Sequence, residues 1–211
     1  MSRLSVLLWV LLLPALGAEA TELGREIAQR HAERAGGRVR ELRSIYAEGR
    51  TLIMGEVIEF KMWAERPNRL RIESTSPKRK VTQIYDGKHE PVIFHSDVEA
   101  GRPLRMSPAE RKDFIANADF DGPLMDFAAK GYTVDYAGTD LVNDRPADKL
   151  LVMSREDDVL FLWVDSQSAE IVKRSVFRVA RDQRVTVDTY FGDFRNVAGT
   201  MQPHRVETKS G

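Results

Sequence analysis

The sequence predicts a mainly β protein with a few helices, of the α+β class. We expect a curved antiparallel half-barrel of about ten to eleven strands, with helices on its concave side. Two observations support this class. Short alternating runs separated by turn residues fill most of the chain, a pattern typical of strands joined as hairpins. One clearly helical stretch, residues 107–131, interrupts them. A hydrophobic helical pair inside such a chain should cover the sheet and close the space beneath it.

Length and composition predict one globular domain rather than two. Of the 211 residues, 42% are hydrophobic and 30% are charged, a balance typical of folded proteins. Lysine plus arginine and aspartate plus glutamate both number 32, so the net charge is zero. Because no sustained basic block is present, we expect no nucleic-acid partner. We also expect a monomer.

The first 20 residues are predicted to be a signal peptide. Arg3 gives a positive start, residues 4–13 form an apolar segment, and residues 18–20 match the small-residue cleavage pattern. That segment is too short to span a membrane; an uncleaved anchor is the alternative. The chain has no cysteine, which excludes disulfides and a cysteine-linked lipid anchor. We therefore expect a single exported domain at residues 21–211, soluble in the periplasm.

The mature chain should begin with a helix. Thr21 is a good N-cap, Ile27 lies on the apolar side, and the glycines at 36–37 end the pattern. His31 lies on the same stripe. We interpret it as a packed histidine rather than a ligand, because no partner lies at metal-binding spacing.

Strands are predicted on both sides of the helical stretch. Those before it cover residues 45–54, 56–65, 69–74, 81–85 and 91–95; those after it cover 132–136, 148–154, 159–165, 170–179, 184–191 and 204–209. Alternation is cleanest in residues 56–65, where Phe60 and Met62 point to one side. Residues 159–165 are apolar on both faces and should form a central, covered strand.

The helical stretch has well-defined start and stop signals. Ser107 is a good N-cap, Pro108 suits the first helical position, and Glu110 completes a capping box. A break follows, and Pro123 should begin a second short helix that ends at Gly131.

The sequence carries no recognisable catalytic or metal-binding motif. The four histidines do not pair at zinc spacing, and neither a nucleophile elbow nor a phosphate-binding loop is present. Asp119, Asp121 and Asp126 form the best acidic cluster. We favour helix capping over cation binding for them, since no bidentate glutamate follows at calcium-loop spacing. We expect no cofactor and no metal.

The candidate ligand-binding residues are large apolar side chains that could face one interior. They are Phe60, Met62, Leu70, Ile72, Phe120, Leu124, Phe127 and Trp163. One interpretation is an ordinary close-packed core. The other is an apolar cavity, which a curled sheet with a helical cover can retain.

Several short motifs follow the amphipathic first helix. They are Gly36-Gly37, Ala47-Glu48-Gly49, Tyr85-Asp86-Gly87, residues 119–127 with Lys130-Gly131, residues 162–165 and residues 203–207. Together they resemble the LolA-like family of outer-membrane lipoprotein-sorting proteins. The resemblance covers essentially all of residues 21–211. It implies an antiparallel half-barrel closed by helices that carries lipoprotein acyl chains across the periplasm. It also implies partners among inner- and outer-membrane lipoprotein-transfer proteins.

The resemblance also implies an arginine inside the barrel that holds the helical cover shut. Arg43 and Arg50, on the first predicted strand, are the candidates. The missing cysteine after the signal distinguishes the chain from membrane-anchored relatives.

The function predicted from these observations is non-enzymatic carriage or binding of lipophilic groups, either lipoprotein acyl chains or lipids. The first alternative is a periplasmic interaction or sensor module that binds a protein segment in the same groove. The second is an enzyme built on the same scaffold.

Overall fold

The computed structural model describes residues 16–34, 36–53, 55–97, 101–155, 158–180 and 183–210. Within these ranges the chain is mostly β with few helices. Most of the predicted signal peptide lies outside the described residues, so its cleavage stays a prediction. No helix in the described part of the chain combines the length and apolarity needed to cross a bilayer.

Two antiparallel sheets of six strands each form the framework. Sheet A contains, in spatial order, β1 (Ser44–Ile53), β2 (Glu56–Glu65), β3 (Arg69–Thr75), β4 (Lys80–Tyr85), β5 (Val92–His95) and β6 (Leu104–Arg105). Sheet B contains β7 (Thr133–Val142), β8 (Arg145–Met153), β9 (Val159–Asp165), β10 (Ile171–Ala180), β11 (Gln183–Val197) and β12 (Thr200–Ser210). Neighbours in each sheet are consecutive in the chain, which confirms the predicted antiparallel hairpins.

The division into two sheets differs from the single curved sheet that we predicted. The described strands also exceed the predicted ten to eleven, partly because the short strand β6 lies in the predicted loop at residues 96–106. Two residues carry too little alternation to be recognised as a strand. The helical stretch separates the two sheets in the chain, as β6 ends sheet A and β7 begins sheet B.

Three helices are described: α1 (Leu16–Arg34), α2 (Pro108–Ala118) and α3 (Phe127–Lys130). A short 3₁₀ turn at Val39–Glu41 was not predicted. The predicted capping box of α2 is confirmed: the Glu110 amide donates to Ser107 Oγ at 3.3 Å, and the Ser107 amide donates to the Glu110 carboxylate at 2.9 Å.

The core of sheet B lies between the sheet and α1. Ile27 and Ala28 of α1 pack among buried residues of three strands, Val134, Leu150, Val152, Leu162 and Val164. Gly24 permits the close approach, because a Cβ at that position would lie 2.7 Å from the Val134 carbonyl oxygen. We call this side the helix face of sheet B and the opposite side its outer face.

The core of sheet A lies between the sheet and α2. Phe114 and Ala118 of α2 are buried against Ala64, Leu70 and Tyr85 from three neighbouring strands. This side is the helix face of sheet A. Helix α2 therefore takes the place over sheet A that α1 takes over sheet B.

Strand β9 confirms the prediction of a central, covered strand. It pairs with β8 on one side and β10 on the other, and its last four residues are buried. Leu162 and Val164 point to the helix face, whereas Trp163 points to the outer face.

Candidate functional site

The candidate site is the helix face of sheet A where α2 covers it. Met62 and Ile72 extend the buried cluster beneath α2, and Phe120 approaches it from the segment that follows the helix. Leu70 is buried at its centre, with 2% of its surface exposed. These four residues are the part of the predicted ligand-binding set that the structure brings together.

The apolar face continues beyond the area that α2 covers. Met62 pairs with Ala47 and Ile72, and Phe60 pairs with Gly49 and Ser74. Phe60, Met62 and Ile72 are only half-buried. An apolar surface that starts under a helix and stays partly open along the same strands can accept a lipophilic chain without disturbing the buried cluster.

Three ion pairs on the polar side of α2 connect it to both sheets. Asp113 accepts hydrogen bonds from Arg178 of β10, and Lys112 pairs with Asp158 before β9. Arg111 pairs with Glu90, between β4 and β5. Every side chain in these pairs is more than a third exposed. Each pair should therefore contribute only about 0–1 kcal/mol.

The arginine that reaches α2 from sheet B is Arg178, which is not one of the two that we singled out. Its Nε donates to Asp113 at 3.0 Å and a terminal nitrogen donates to the second carboxylate oxygen. Arg43 and Arg50 are exposed, just before and within β1. Sequence reasoning missed Arg178 because nothing local distinguishes it from other charged strand residues.

The remaining predicted ligand-binding residues lie elsewhere. Leu124 is buried in the core beneath α1, and Phe127 packs against that core from α3. Trp163 lies on the outer face of sheet B with Val142 and Ala147. The eight residues therefore belong to separate places rather than to one interior.

Trp163 borders an open cleft of about 660 Å³ on the outer face of sheet B. Its indole donates to Asp140 at 2.8 Å, and the Lys173 ammonium lies 4.5 Å from its ring centre. Acidic and basic side chains both line the cleft, among them Glu207 and Lys209. A second cleft of about 450 Å³ is lined by Phe60 and charged residues of sheet A. No α2 residue lines either cleft.

The three aspartates of the candidate acidic cluster each bind a different basic side chain. Asp119 pairs with Lys130 at 2.5 Å, Asp121 with Arg66 at 2.6 Å, and Asp126 with Arg40 at 2.7 Å. Hydrogen bonding from Arg40 lowers the pKa of Asp126. In the described part of the chain, no group of three or more His, Cys, Asp or Glu is placed to hold a metal ion.

Arg66, in the turn between β2 and β3, connects the segment after α2 to the segment before β1. It donates two hydrogen bonds to Asp121 and one each to the carbonyl oxygens of Val39 and Leu42. Its guanidinium carbon also lies 4.8 Å from the ring centre of Phe120. The segment after α2 is therefore fixed more firmly than α2's polar side.

His31 agrees with the packed interpretation. Its Nδ1 lies 2.8 Å from the carbonyl oxygen of Ala169. Burial lowers the pKa of His31, and the hydrogen bond to Ala169 opposes this only in part. The ring joins α1 to the turn between β9 and β10.

Comparison with known proteins identifies the fold. No known family matches the sequence, and no curated protein is significantly similar to it. Ten chains of solved structures are similar in shape, and three of them are compared below. A DUF1329 family protein from Desulfovibrio piger has a TM-score of 0.57 at 13% identity, over 90% of this chain and 86% of that one.

The other two structures carry the family name that the sequence motifs suggested. A proposed outer-membrane lipoprotein-sorting protein domain from Vibrio parahaemolyticus has a TM-score of 0.55 at 10% identity, over 90% of this chain and 86% of that one. A LolA superfamily protein from Nitrosomonas europaea has a TM-score of 0.56 at 15% identity, over 88% and 84%. The resemblance to LolA-like proteins is thus confirmed at the level of the fold.

Proposed function

We propose that this LolA-like fold serves as a periplasmic, non-enzymatic carrier or binder of lipophilic groups, namely lipoprotein acyl chains or lipids. Its role would resemble outer-membrane lipoprotein sorting, with membrane lipoprotein-transfer proteins as partners. The observation that carries the proposal is the apolar helix face of sheet A, closed by α2 at one end and half-open at Phe60 and Ile72.

The energetics of α2 support opening of this cover by a ligand. Its three exposed ion pairs contribute about 0–1 kcal/mol each, and burial of Phe114 contributes about 1.5–3 kcal/mol. An acyl chain of about fourteen methylenes gains on the order of 11 kcal/mol on full burial, at about 0.8 kcal/mol for each methylene. Burial of an acyl chain can therefore offset the interactions that are lost when α2 is displaced, whereas water in the same place cannot.

Within this proposal, Arg178 takes the role that the resemblance assigned to an arginine of the barrel. It reaches Asp113 on α2 from the opposite sheet. Breaking this pair favours the open state by about 0–1 kcal/mol, so the open population rises at most about fivefold. Apparent affinity rises by the same factor as long as the open state is the minor one.

The test compares two phenylalanines that are both half-buried but lie on different faces. Phe60 lies on the half-open part of the helix face of sheet A, which we call the candidate groove, whereas Phe127 packs on the α1 core. We expect Phe60→Ala to weaken binding of a fluorescent fatty-acyl probe at least tenfold with little loss of stability. Phe127→Ala should lower the free energy of unfolding and leave probe affinity within about twofold of wild type.

Native mass spectrometry of protein purified from periplasm completes the test. Co-purifying lipid mass is expected, and its loss in Phe60→Ala would support the groove. If wild-type protein neither retains lipid nor binds the probe, the apolar face is an ordinary core and the carrier function is refuted.

The alternative of a protein-binding module has one observation in its favour. Among the described strands β1 pairs with β2 alone, so its other edge is open, and Tyr46 on it is 51% exposed. An open strand edge can accept an added strand. Polypeptide rather than lipid adducts in the same mass spectra would favour this function.

A further inference from the structure

An arginine on the helix face of sheet B lacks any counter-ion in the described part of the chain. Arg174 lies on β10 between Leu162 of β9 and Thr189 of β11, its register partners. Its Nε is buried and has no hydrogen-bond partner. No described residue forms an ion pair with its guanidinium.

The neighbouring cations on β10 are different, because each has an acceptor. Lys173, on the outer face, pairs with Asp188 at 2.7 Å. Arg178, on the same face as Arg174, pairs with Asp113 of α2. Arg174 therefore differs from the other two cations of the same strand in having no acidic partner among the described residues.

The charge balance around Arg174 is positive. Burial lowers the pKa of Arg174 most, the Arg178 charge lowers it further, and Asp113 opposes both. A guanidinium nevertheless stays protonated in proteins. The Asp113 carboxylate pairs directly with Arg178, so the charge of the half-buried Arg174 has no acidic partner among the described residues. A charge that is removed from water without a partner is unfavourable.

We propose that Arg174 binds the carboxylate of a single-chain fatty acid whose hydrocarbon part lies along the apolar helix faces. This inference rests on the proposed carrier function and names its ligand class. A planar guanidinium matches a carboxylate with two parallel hydrogen bonds. A single unpaired positive charge balances a monoanion, whereas a phosphate headgroup calls for more than one free cation.

The surroundings of Arg174 fit an amphiphile rather than a free carboxylate. Leu162 is buried beside it, and Val176 follows on the same face of β10. A ligand with a polar end and an apolar chain would satisfy the guanidinium and cover these side chains together.

The experiment measures binding of cis-parinaric acid and of its uncharged methyl ester to delipidated protein. We expect wild type to bind the acid at least tenfold more tightly than the ester. Arg174→Gln should bind both equally, at the wild-type affinity for the ester. Arg195→Gln, which removes an exposed arginine paired with Asp193, is the matched control and should keep the preference.

Stability supplies a second readout that does not depend on the probe. Without ligand, Arg174→Gln should raise the midpoint of thermal unfolding, because it removes a half-buried charge that has no acidic partner among the described residues. Arg178→Gln, on the same strand and face, should lower it. Arg174→Lys keeps the charge without the planar fork and should retain part of the preference for the acid.

Several results would overturn the inference. Equal affinity of wild type for acid and ester, or a preference that survives in Arg174→Gln, would refute the carboxylate site while leaving the carrier function intact. Tighter competition by lysophosphatidic acid than by oleate would refute the carboxylate in favour of a phosphate. If neither probe binds wild type, the carrier function fails and this inference fails with it.

Discussion

Replacing Asp121 with asparagine should destabilise the protein by about 2–3 kcal/mol, whereas the same replacement at Asp126 should cost less than about 1 kcal/mol. Both aspartates lie between α2 and α3, and each binds an arginine. Their exposures differ. The Asp121 side chain is 9% exposed and that of Asp126 is 51% exposed.

The magnitude for Asp121 follows from what its partner loses. Removing one member of a buried ion pair costs about 3–5 kcal/mol. Arg66 is one-third exposed and keeps its hydrogen bonds to the carbonyl oxygens of Val39 and Leu42, so water and the backbone reduce the cost. At Asp126 the backbone has a φ of 53°, which asparagine tolerates as well as aspartate. Only the exposed pair with Arg40 is lost there.

The assay is urea unfolding followed by tryptophan fluorescence, with equal m-values as a check that both variants unfold as wild type does. Equal losses for the two variants would refute the argument from burial. A second refutation is possible with metal ions. If millimolar Ca²⁺ stabilises wild type but not Asp121→Asn, the cluster binds a cation and the ion-pair interpretation is wrong.

Three further predictions concern the helices. Ser107→Ala should cost about 1 kcal/mol in urea unfolding, since it removes the observed N-cap, and an unchanged midpoint would contradict the cap. Gly24→Ala should cost about 1–3 kcal/mol, because the new Cβ would meet the Val134 carbonyl oxygen at 2.7 Å; the matched Gly192→Ala, with open space around it, should cost less. The folded-state pKa of His31 lies below its ordinary 6.5, so its stabilising effect is complete above that pH and is lost as the pH falls through the folded-state pKa. The free energy of unfolding, measured from pH 7.5 to 5, should decline less steeply in His31→Gln than in wild type, and parallel curves would refute a packed neutral ring.

Helix α2 and the central strand β9 could be predicted because their signals are local. The other helix starts were predicted wrongly, since α1 begins at Leu16 and not at Thr21, and α3 begins at Phe127 and not at Pro123. Ser107 and Glu110 form a capping box that depends on four consecutive residues. The apolar run of β9 indicates a strand covered on both faces wherever it lies in a sheet. The division into two sheets could not be predicted in this way, since it depends on which strands end at an edge.

The candidate site was only partly predictable. Alternation shows which residues of one strand share a face, but it does not show which faces of different strands point to the same interior. Met62 and Ile72 were correctly grouped, as register pairs them directly. Trp163 was grouped with them because it is large and apolar, yet it lies one residue from Leu162 and therefore on the opposite face. Residue type alone cannot distinguish the two sides of a strand that is covered on both.

The faces to which the charged residues of β10 point depend on a β-bulge, and no local sequence signal predicts that bulge. Along β10, Ile171 pairs with Val164 and Lys173 pairs with Trp163, so Val172 is an extra residue opposite one residue of β9. With regular alternation from Ile171, Lys173 would point to the helix face and Arg174 outward. The bulge reverses this assignment for the rest of the strand.

The same bulge accounts for both arginine roles that we propose. Because Arg174 and Arg178 are four residues apart, whatever turns one to the helix face turns the other there as well. Arg178 then meets Asp113 of α2, while the register partners of Arg174 on the neighbouring strands are the uncharged Leu162 and Thr189. One displaced residue thus gives β10 both a contact to the helical cover and an unpaired guanidinium in an apolar face. A carrier of anionic amphiphiles needs this combination, since its ligand must replace the contact with the cover and neutralise the remaining charge.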